Sequence, residues 1–220
     1  MSGRIHFSSL RLLVVGAALW APTMCMAGKH FTMPAPKPAK TYPAHDDHVD
    51  EAVALALDPY DTADKAAIFS VRYSDLGFMP VFVIITNDGG QPVSLAGTRV
   101  QLITADRTKI PPATEDDIYR RLARPTGAGP SPNPLPWPKK VKTSVSKEEQ
   151  EEIQNSMFAA RAVEPHSTQA GFMFFDVAGI SAPLAGANLY LTGATDAKGH
   201  ELMYFEVPLE KYLNASQTPK

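Results

Sequence analysis

The chain has 220 residues, of which 44% are hydrophobic and 20% charged, which is typical of one globular domain rather than of a disordered chain. Its 21 basic and 23 acidic side chains give a formal net charge of −2, which excludes a broadly cationic nucleic-acid-binding protein. The 20 prolines exceed the usual share of about 5%, and there is one cysteine, Cys25.

Residues 1–27 have the pattern of a secretory signal peptide. Arg4 and Arg11 precede an uncharged stretch over residues 12–21, and Cys25-Met26-Ala27 places small residues before a cleavage site after Ala27. A membrane-spanning helix needs about 20 apolar residues, whereas Pro22 ends this stretch early. We therefore expect a secreted or periplasmic protein with no membrane span after cleavage.

Lipid attachment at Cys25 is the alternative for this segment. The preceding residues Pro22, Thr23 and Met24 match a lipidation signal poorly. Cleavage after Ala27 would leave the chain without cysteine, which removes disulfides, thiolate metal sites and cysteine nucleophiles from consideration.

Residues 28–50 have the composition of a proline-rich linker. Residues 33–40 alternate proline with small or basic side chains, which favours an extended polyproline II segment. His45 and His48 are weak candidates for metal ligands, because ligands need a rigid backbone and no cysteine or second histidine pair supports them. A solvated acidic segment is the preferred interpretation, and we expect no metal or other cofactor.

The folded domain is predicted over 51–213, followed by a tail at 214–220. Within it, apolar side chains alternate with polar or small ones in eight short segments separated by turn residues. These segments are 51–57, 67–73, 78–86, 92–95, 99–104, 171–177, 188–192 and 201–208. Seven or eight short strands of this kind predict a mainly β fold, an immunoglobulin-like β-sandwich.

Residues 111–162 predict a two-helix, proline-rich insert between the two runs of strands. Thr114 and Asp117 form a helix start, and Ser146 with Glu149 forms a capping box at a second one. Six prolines over residues 125–138 indicate a stiff loop between the helices. The pairs Asp116–Arg120 and Asp117–Arg121 are spaced i,i+4, so we expect a solvated, salt-bridged face rather than a phosphate site.

Four stretches of the chain resemble a group of bacterial secreted proteins of unknown function. They are residues 77–87, which begin with Gly77-Phe78-Met79-Pro80-Val81, and residues 115–122, 163–167 and 171–176. The likeness covers most of the mature chain, and residues 165–176 are also similar to a strand-turn-strand of small secreted immunoglobulin-like domains. The resemblance implies this fold and an extracytoplasmic address, and it implies no catalytic residue.

Three predicted strands, 78–86, 171–177 and 201–208, are apolar on both faces, whereas a two-layer sandwich buries one face only. If the three are neighbours, their outer faces form an aromatic patch too large to leave exposed. The residues predicted to bind a ligand or partner there are Phe82, Phe172, Phe174, Tyr204 and Trp137. The preferred alternative is that the two helices cover the patch, with Ile118, Ile153 and neighbouring apolar residues packed across the strands.

No catalytic residue is predicted. The chain lacks the motifs of serine hydrolases, phosphate loops, zinc proteases and dinucleotide binding. His166 and His200 lie beside turns, and Asp75, Asp176 and Glu206 show no pairing in the sequence. We therefore expect a non-catalytic binding module for a protein or cell-wall ligand, with a structural or assembly role at the cell envelope and a hydrolase as the alternatives.

Overall fold

The computed structural model describes residues 30–123 and 145–217. The described part is mainly β, with ten strands and four α-helices. The strands are β1 (Ala44–His48), β2 (Val53–Pro59), β3 (Phe78–Asn87), β4 (Val93–Ser94), β5 (Arg99–Ile103), β6 (Lys109–Ile110), β7 (Ala162–Val163), β8 (Ser167–Asp176), β9 (Asn188–Thr192) and β10 (Phe205–Pro208). The helices are α1 (Ala63–Ala66), α2 (Glu115–Leu122), α3 (Lys147–Ser156) and α4 (Glu210–Gln217), with 3-10 turns at Ala39–Thr41 and Tyr73–Leu76.

Eight of these strands form two antiparallel sheets of four. Sheet 1 has the order β1-β2-β3-β8, and sheet 2 has the order β10-β9-β5-β6, while β4 pairs with β7. In sheet 1, β3 and β8 pair over their whole length, which places Phe82 opposite Phe172. In sheet 2, β9 lies between β10 and β5, and Tyr190 is opposite both Glu206 and Gln101.

The two sheets share a hydrophobic core. Alternate residues of β3 point into it, because side chains on a strand alternate between the two faces. Val81 and Val83 of sheet 1 are fully buried there together with Leu102, Leu189 and Val207 of sheet 2.

A second core lies on the other face of sheet 1. The remaining apolar residues of β3 and β8 pack against α2 and α3 and against the segments before β1 and β3. Its fully or nearly buried members are Ala39, Ala54, Ala56, Phe69, Val71, Tyr73, Phe78, Phe82, Ile84, Ile118, Ile153, Phe172 and Phe174. This double covering explains why all ten residues of β3 are buried.

The structure confirms the prediction of a mainly β chain with antiparallel sheets. The predicted strands at 78–86 and 188–192 correspond closely to β3 and β9. The predicted strand at 67–73 is wrong, because this segment forms bends and a 3-10 turn. Its apolar residues Phe69, Val71 and Tyr73 are nevertheless buried.

The predicted linker at 28–50 contains ordered structure that the sequence analysis missed. Ala39 is fully buried, and β1 pairs with β2 along its whole length, so the sheets begin at Ala44 rather than near Glu51. The strand is polar because it is an edge strand. Its acidic side chains accept hydrogen bonds or pair with Lys40, as in Asp46 with the Glu206 N–H at 2.9 Å.

Both predicted helix starts are confirmed. Thr114 with Asp117 and Ser146 with Glu149 each form a reciprocal capping box, which satisfies backbone N–H groups at the start of a helix. None of the described helices is long and apolar enough to cross a membrane.

The predicted i,i+4 pairing of the two arginines is wrong. Arg120 pairs with Asp117 one residue closer, on the exposed face of α2. Arg121 instead reaches sheet 1, where it donates to both carboxylate oxygens of Asp176 and to the Leu76 carbonyl at 2.9 Å. Its guanidinium also lies 4.7 Å from the centre of the Phe78 ring.

Candidate functional site

Three of the predicted binding residues, Phe82, Phe172 and Phe174, lie inside the second core. Each is at most 1% exposed. Phe172 is at the centre, with its ring 4.9 Å from those of Phe82 and Phe69 and 4.8 Å from that of Tyr60. These phenylalanines are packed as core residues in the structure and do not form an exposed patch.

Tyr204 is placed differently from the phenylalanines. It precedes β10, which belongs to sheet 2, so it does not share a face with β3 and β8. The predicted strand at 201–208 is shorter than expected, since β10 begins at Phe205. Tyr204 is 53% exposed. The remaining candidate, Trp137, lies outside the described residues.

Within residues 30–123 and 145–217, no second layer of the kind that covers sheet 1 lies on the outer face of sheet 2. Along β9, Leu189 and Leu191 are buried, while Asn188, Tyr190 and Thr192 on the other face are only partly buried. The same alternation occurs in β10. We call this surface the open face and define it by Gln101, Asn188, Tyr190, Tyr204 and Glu206.

The side chains of the open face are held in a fixed arrangement by hydrogen bonds. Glu206 accepts a bond from the Tyr190 hydroxyl and another from the Asn188 amide nitrogen at 2.9 Å. The bond to Glu206 raises the pKa of Tyr190 above its usual value, because the phenol donates to a carboxylate. The Tyr190 and Tyr204 rings lie 6.3 Å apart and are inclined by 29°. The open face therefore combines an aromatic surface with hydrogen-bonding groups that are already held in position before a partner binds.

The segment before β10 and the loop after β1 carry further exposed apolar side chains. Among the described residues, the large hydrophobic side chains that are mainly exposed to solvent are Val49 at 73%, Met203 at 67% and Tyr204 at 53%. The loops that carry them are joined, since Glu51 accepts a hydrogen bond from the Met203 N–H at 2.8 Å. Tyrosine and methionine are enriched in the cores of protein interfaces.

The two histidines predicted as weak metal candidates do not converge. His45 and His48 are three positions apart on β1, which places them on opposite faces of the strand. His48 stacks on Phe205 at 4.0 Å, and its ring nitrogens contact Glu51 at 3.0 Å and Asp46 at 3.3 Å. The His45 Nδ1 atom contacts the Tyr42 carbonyl at 2.6 Å. The described residues contain no group of three or more histidine, cysteine or acidic side chains that could hold a metal ion.

The three scattered acids and His200 have partners in the structure. Asp75 pairs with Arg72 at 3.0 Å, and His200 pairs with Asp196 at 3.3 Å. Asp176 binds Arg121, and Glu206 belongs to the open face. These contacts link secondary-structure elements or close turns and do not assemble a nucleophile, a base and a third group that orients the base, as a hydrolytic site requires.

A cleft that the sequence does not predict lies beside β3. It has a volume of about 710 Å³, and its floor is the start of β3 at Phe78, Met79 and Pro80. Loop 177–185 forms one wall, and α1 with Leu213 of α4 forms the other. No local pattern predicts it, because its walls are distant in sequence. Tyr190, in contrast, could have been found from the outward positions of the alternating segment 188–192.

Comparison with protein-family models, with curated proteins and with solved structures finds no significant match to this chain.

Proposed function

We propose that the chain is a non-catalytic binding or interaction module that works outside the cytoplasm and is built on an immunoglobulin-like β-sandwich. The observation that carries the proposal is the open face of sheet 2. Tyr204 and the neighbouring Met203 are exposed and Tyr190 is partly exposed, whereas the comparable face of sheet 1 is filled by the chain's own residues. In this proposal Tyr204 is a contact residue.

The chemistry of the open face supports binding rather than catalysis. Tyrosine supplies an aromatic surface with a polar end, and it loses little conformational freedom when it makes contacts. Glu206 is occupied by the Tyr190 hydroxyl and the Asn188 amide, which positions these groups without leaving a free acid–base pair. Two sheets with one shared core support the immunoglobulin-like part of the proposal.

Export is the second part of the proposal. The charged start, short apolar stretch and small residues before position 28 support a signal peptide cleaved after Ala27. Mass spectrometry of the protein purified from native cells should give an N-terminus at Gly28. A diacylglycerol-modified Cys25 at the N-terminus would instead show a lipoprotein.

Site-specific photo-cross-linking tests the contact surface. A benzophenone amino acid at position 204 should give a discrete cross-linked product in native cells, or with isolated cell-wall material. The matched control is the same group at Lys147, whose side chain is 83% exposed on α3. The same products from both positions, or none from position 204, would contradict binding at the open face.

A further inference from the structure

The cleft beside β3 has the dimensions of a small-molecule site. Its volume of about 710 Å³ lies within the usual range of about 300–1,000 Å³. The floor is rigid, because Phe78, Met79 and Pro80 are buried residues of the central strand β3. α1 contributes only the small side chains Ala63 and Ala66 to its wall, which leaves the space open.

The lining is apolar except at one end. Val177, Leu184 and Leu213 face the space together with the apolar floor, and the polar side chains Asp61, Thr62 and Ser74 complete it. Among the described residues that line the cleft, Asp61 is the only charged one. A ligand that fills the cleft therefore needs an apolar body, and charge complementarity favours a cationic group beside Asp61.

The surroundings of Asp61 reinforce this preference. Its carboxylate accepts a hydrogen bond from the Tyr212 hydroxyl at 2.6 Å, which fixes it at the rim. The Lys65 ammonium is nearby and donates to the Asp58 carboxylate, to the Pro59 carbonyl and, at 3.2 Å, to the Tyr212 hydroxyl, but it makes no direct ion pair with Asp61 among those the structure shows. The carboxylates of Asp58 and Asp61 and the ammonium of Lys65 together carry a net charge of about −1 at this end of the cleft.

The same rim already accommodates an ammonium group of the chain itself. The Lys65 nitrogen lies 4.4 Å from the centre of the Tyr212 ring and 5.6 Å from that of Tyr60. Aromatic rings attract cations at such distances through their quadrupole. Tyr60 also lines the cleft, so an aromatic ring and a carboxylate both lie at the polar end.

We propose that this cleft binds a small apolar molecule that carries one cationic group, such as an alkylammonium or quaternary ammonium compound. The apolar part lies over Phe78 and Met79, and the cationic group lies beside Asp61. This site is separate from the open face of sheet 2, so it stands or fails independently of the proposed function.

Decylammonium and decanoate, which have similar chains and opposite charge, test the proposal with the full chain. In heteronuclear NMR titrations below the micelle concentration, decylammonium should bind saturably and shift the amides of residues 77–79 and 177–182. Decanoate should bind at least about tenfold more weakly, since it meets the uncompensated negative charge. Equal binding of the two, shifts located elsewhere, or no saturable binding of decylammonium would overturn the proposal.

Two variants and a control distinguish the contribution of the Asp61 charge to ligand binding from that of the apolar cavity. Asp61→Asn should weaken decylammonium binding by about tenfold and remove its preference over decanoate. Asp64→Asn is the control, because it alters an exposed acid outside the lining, and it should change neither the affinity for decylammonium nor the preference. Ala66→Phe should block both ligands by filling the cleft. A preference that survives in Asp61→Asn would contradict the assignment of the cationic end.

Discussion

At the scale of single residues, Gly171 is required by the close approach of two backbone segments. A Cβ atom at this position would lie 2.5 Å from Phe158 Cα and 2.8 Å from Phe158 N. The neighbouring segment is held in place, because the Phe158 N–H donates to the Phe172 carbonyl at 2.9 Å. Part of the free edge of β8 is thereby covered, which protects it from pairing with other chains.

Gly171→Ala should therefore destabilise the protein by about 1–3 kcal/mol, since backbone atoms must move apart to admit the methyl group. Urea denaturation measures the change in the free energy of unfolding. Gly90→Ala is the matched control, because a Cβ there meets no atom within 4 Å, and it should change stability by less than about 0.5 kcal/mol. Equal losses for the two variants would show that the contact with Phe158 is relaxed in solution.

Tyr60 makes the stability of the protein depend on alkaline pH. Burial, with a smaller effect of the Asp58 carboxylate, raises the pKa of Tyr60 from 10.0 to about 12. The unfolded chain then loses this proton first, so the free energy of unfolding should be unaffected by Tyr60 below pH 10.0 and should fall as the pH rises toward 12.

Spectroscopic titration of the phenolate band checks this prediction. Tyr60→Phe should remove one phenol from those that ionise near pH 12. The free energy of unfolding of this variant should fall less between pH 10 and 12 than that of the unchanged protein. Removal of a phenol that ionises near pH 10 instead would show that Tyr60 is solvated.

At the scale of elements, α3 is attached to the segment before β3 through one buried carboxylate. Glu152 is 4% exposed and accepts hydrogen bonds from the N–H groups of Ser70 at 2.6 Å and Val71 at 3.1 Å. These bonds take the place of strand pairing in a segment whose apolar residues face the second core.

Glu152→Ala should cost about 1–3 kcal/mol, because the buried N–H of Val71 would lose its carboxylate partner. Hydrogen exchange should show faster exchange of the Val71 amide. Glu151→Ala removes an acid whose side chain is 53% exposed and paired with Lys147, and it should cost less than about 0.5 kcal/mol. Unchanged protection at Val71 in Glu152→Ala would contradict the attachment.

The same elements show which features a sequence can predict. β3 is predictable because its apolar run is long and a turn follows it, and the capping boxes are predictable because both partners are three residues apart. Segment 67–73 has the alternation of a strand, but its hydrogen-bond partner is a carboxylate of α3, about 80 residues away. β1 is polar because it is an edge strand, so its pattern carries no signal.

The candidate site was predictable only in part, because strand order is not encoded in a local pattern. Residues 78–86 and 171–177 carry apolar side chains on both faces, which predicts that a second layer buries the outer face. The structure buries Phe82 and Phe174 on that face. Tyr204 was predicted on that same surface, but β10 belongs to the other sheet. The cleft beside β3 depends on loop 177–185 and α4 meeting in space, which no sequence spacing indicates.

At the scale of the whole molecule, sheet 1 belongs to both hydrophobic cores. Its strands contact sheet 2 on one face and α2 and α3 on the other, so the three layers are coupled through the same backbone. Loss of either core exposes one face of β3, whose residues are buried on both sides. The described part of the chain should therefore unfold as one cooperative unit.

Phe174→Ser tests this coupling, because it opens the second core without touching the first. Phe174 is fully buried, and loss of its ring should destabilise the protein by about 3–5 kcal/mol. The melting temperature should fall, and hydrogen exchange at Leu189 in sheet 2 should accelerate together with that at Ile118 in α2.

Tyr204→Ser is the control, since this ring is 53% exposed, and it should leave the melting temperature nearly unchanged while it weakens the binding of a partner at the open face. Continued protection of Leu189 after the helices melt would show that the two cores unfold separately. If Phe174→Ser left the melting temperature unchanged but abolished the binding of a partner, the binding surface would lie on sheet 1. The two variants thus distinguish the face of sheet 1, which the chain's own residues bury, from the open face of sheet 2, which can contact a partner.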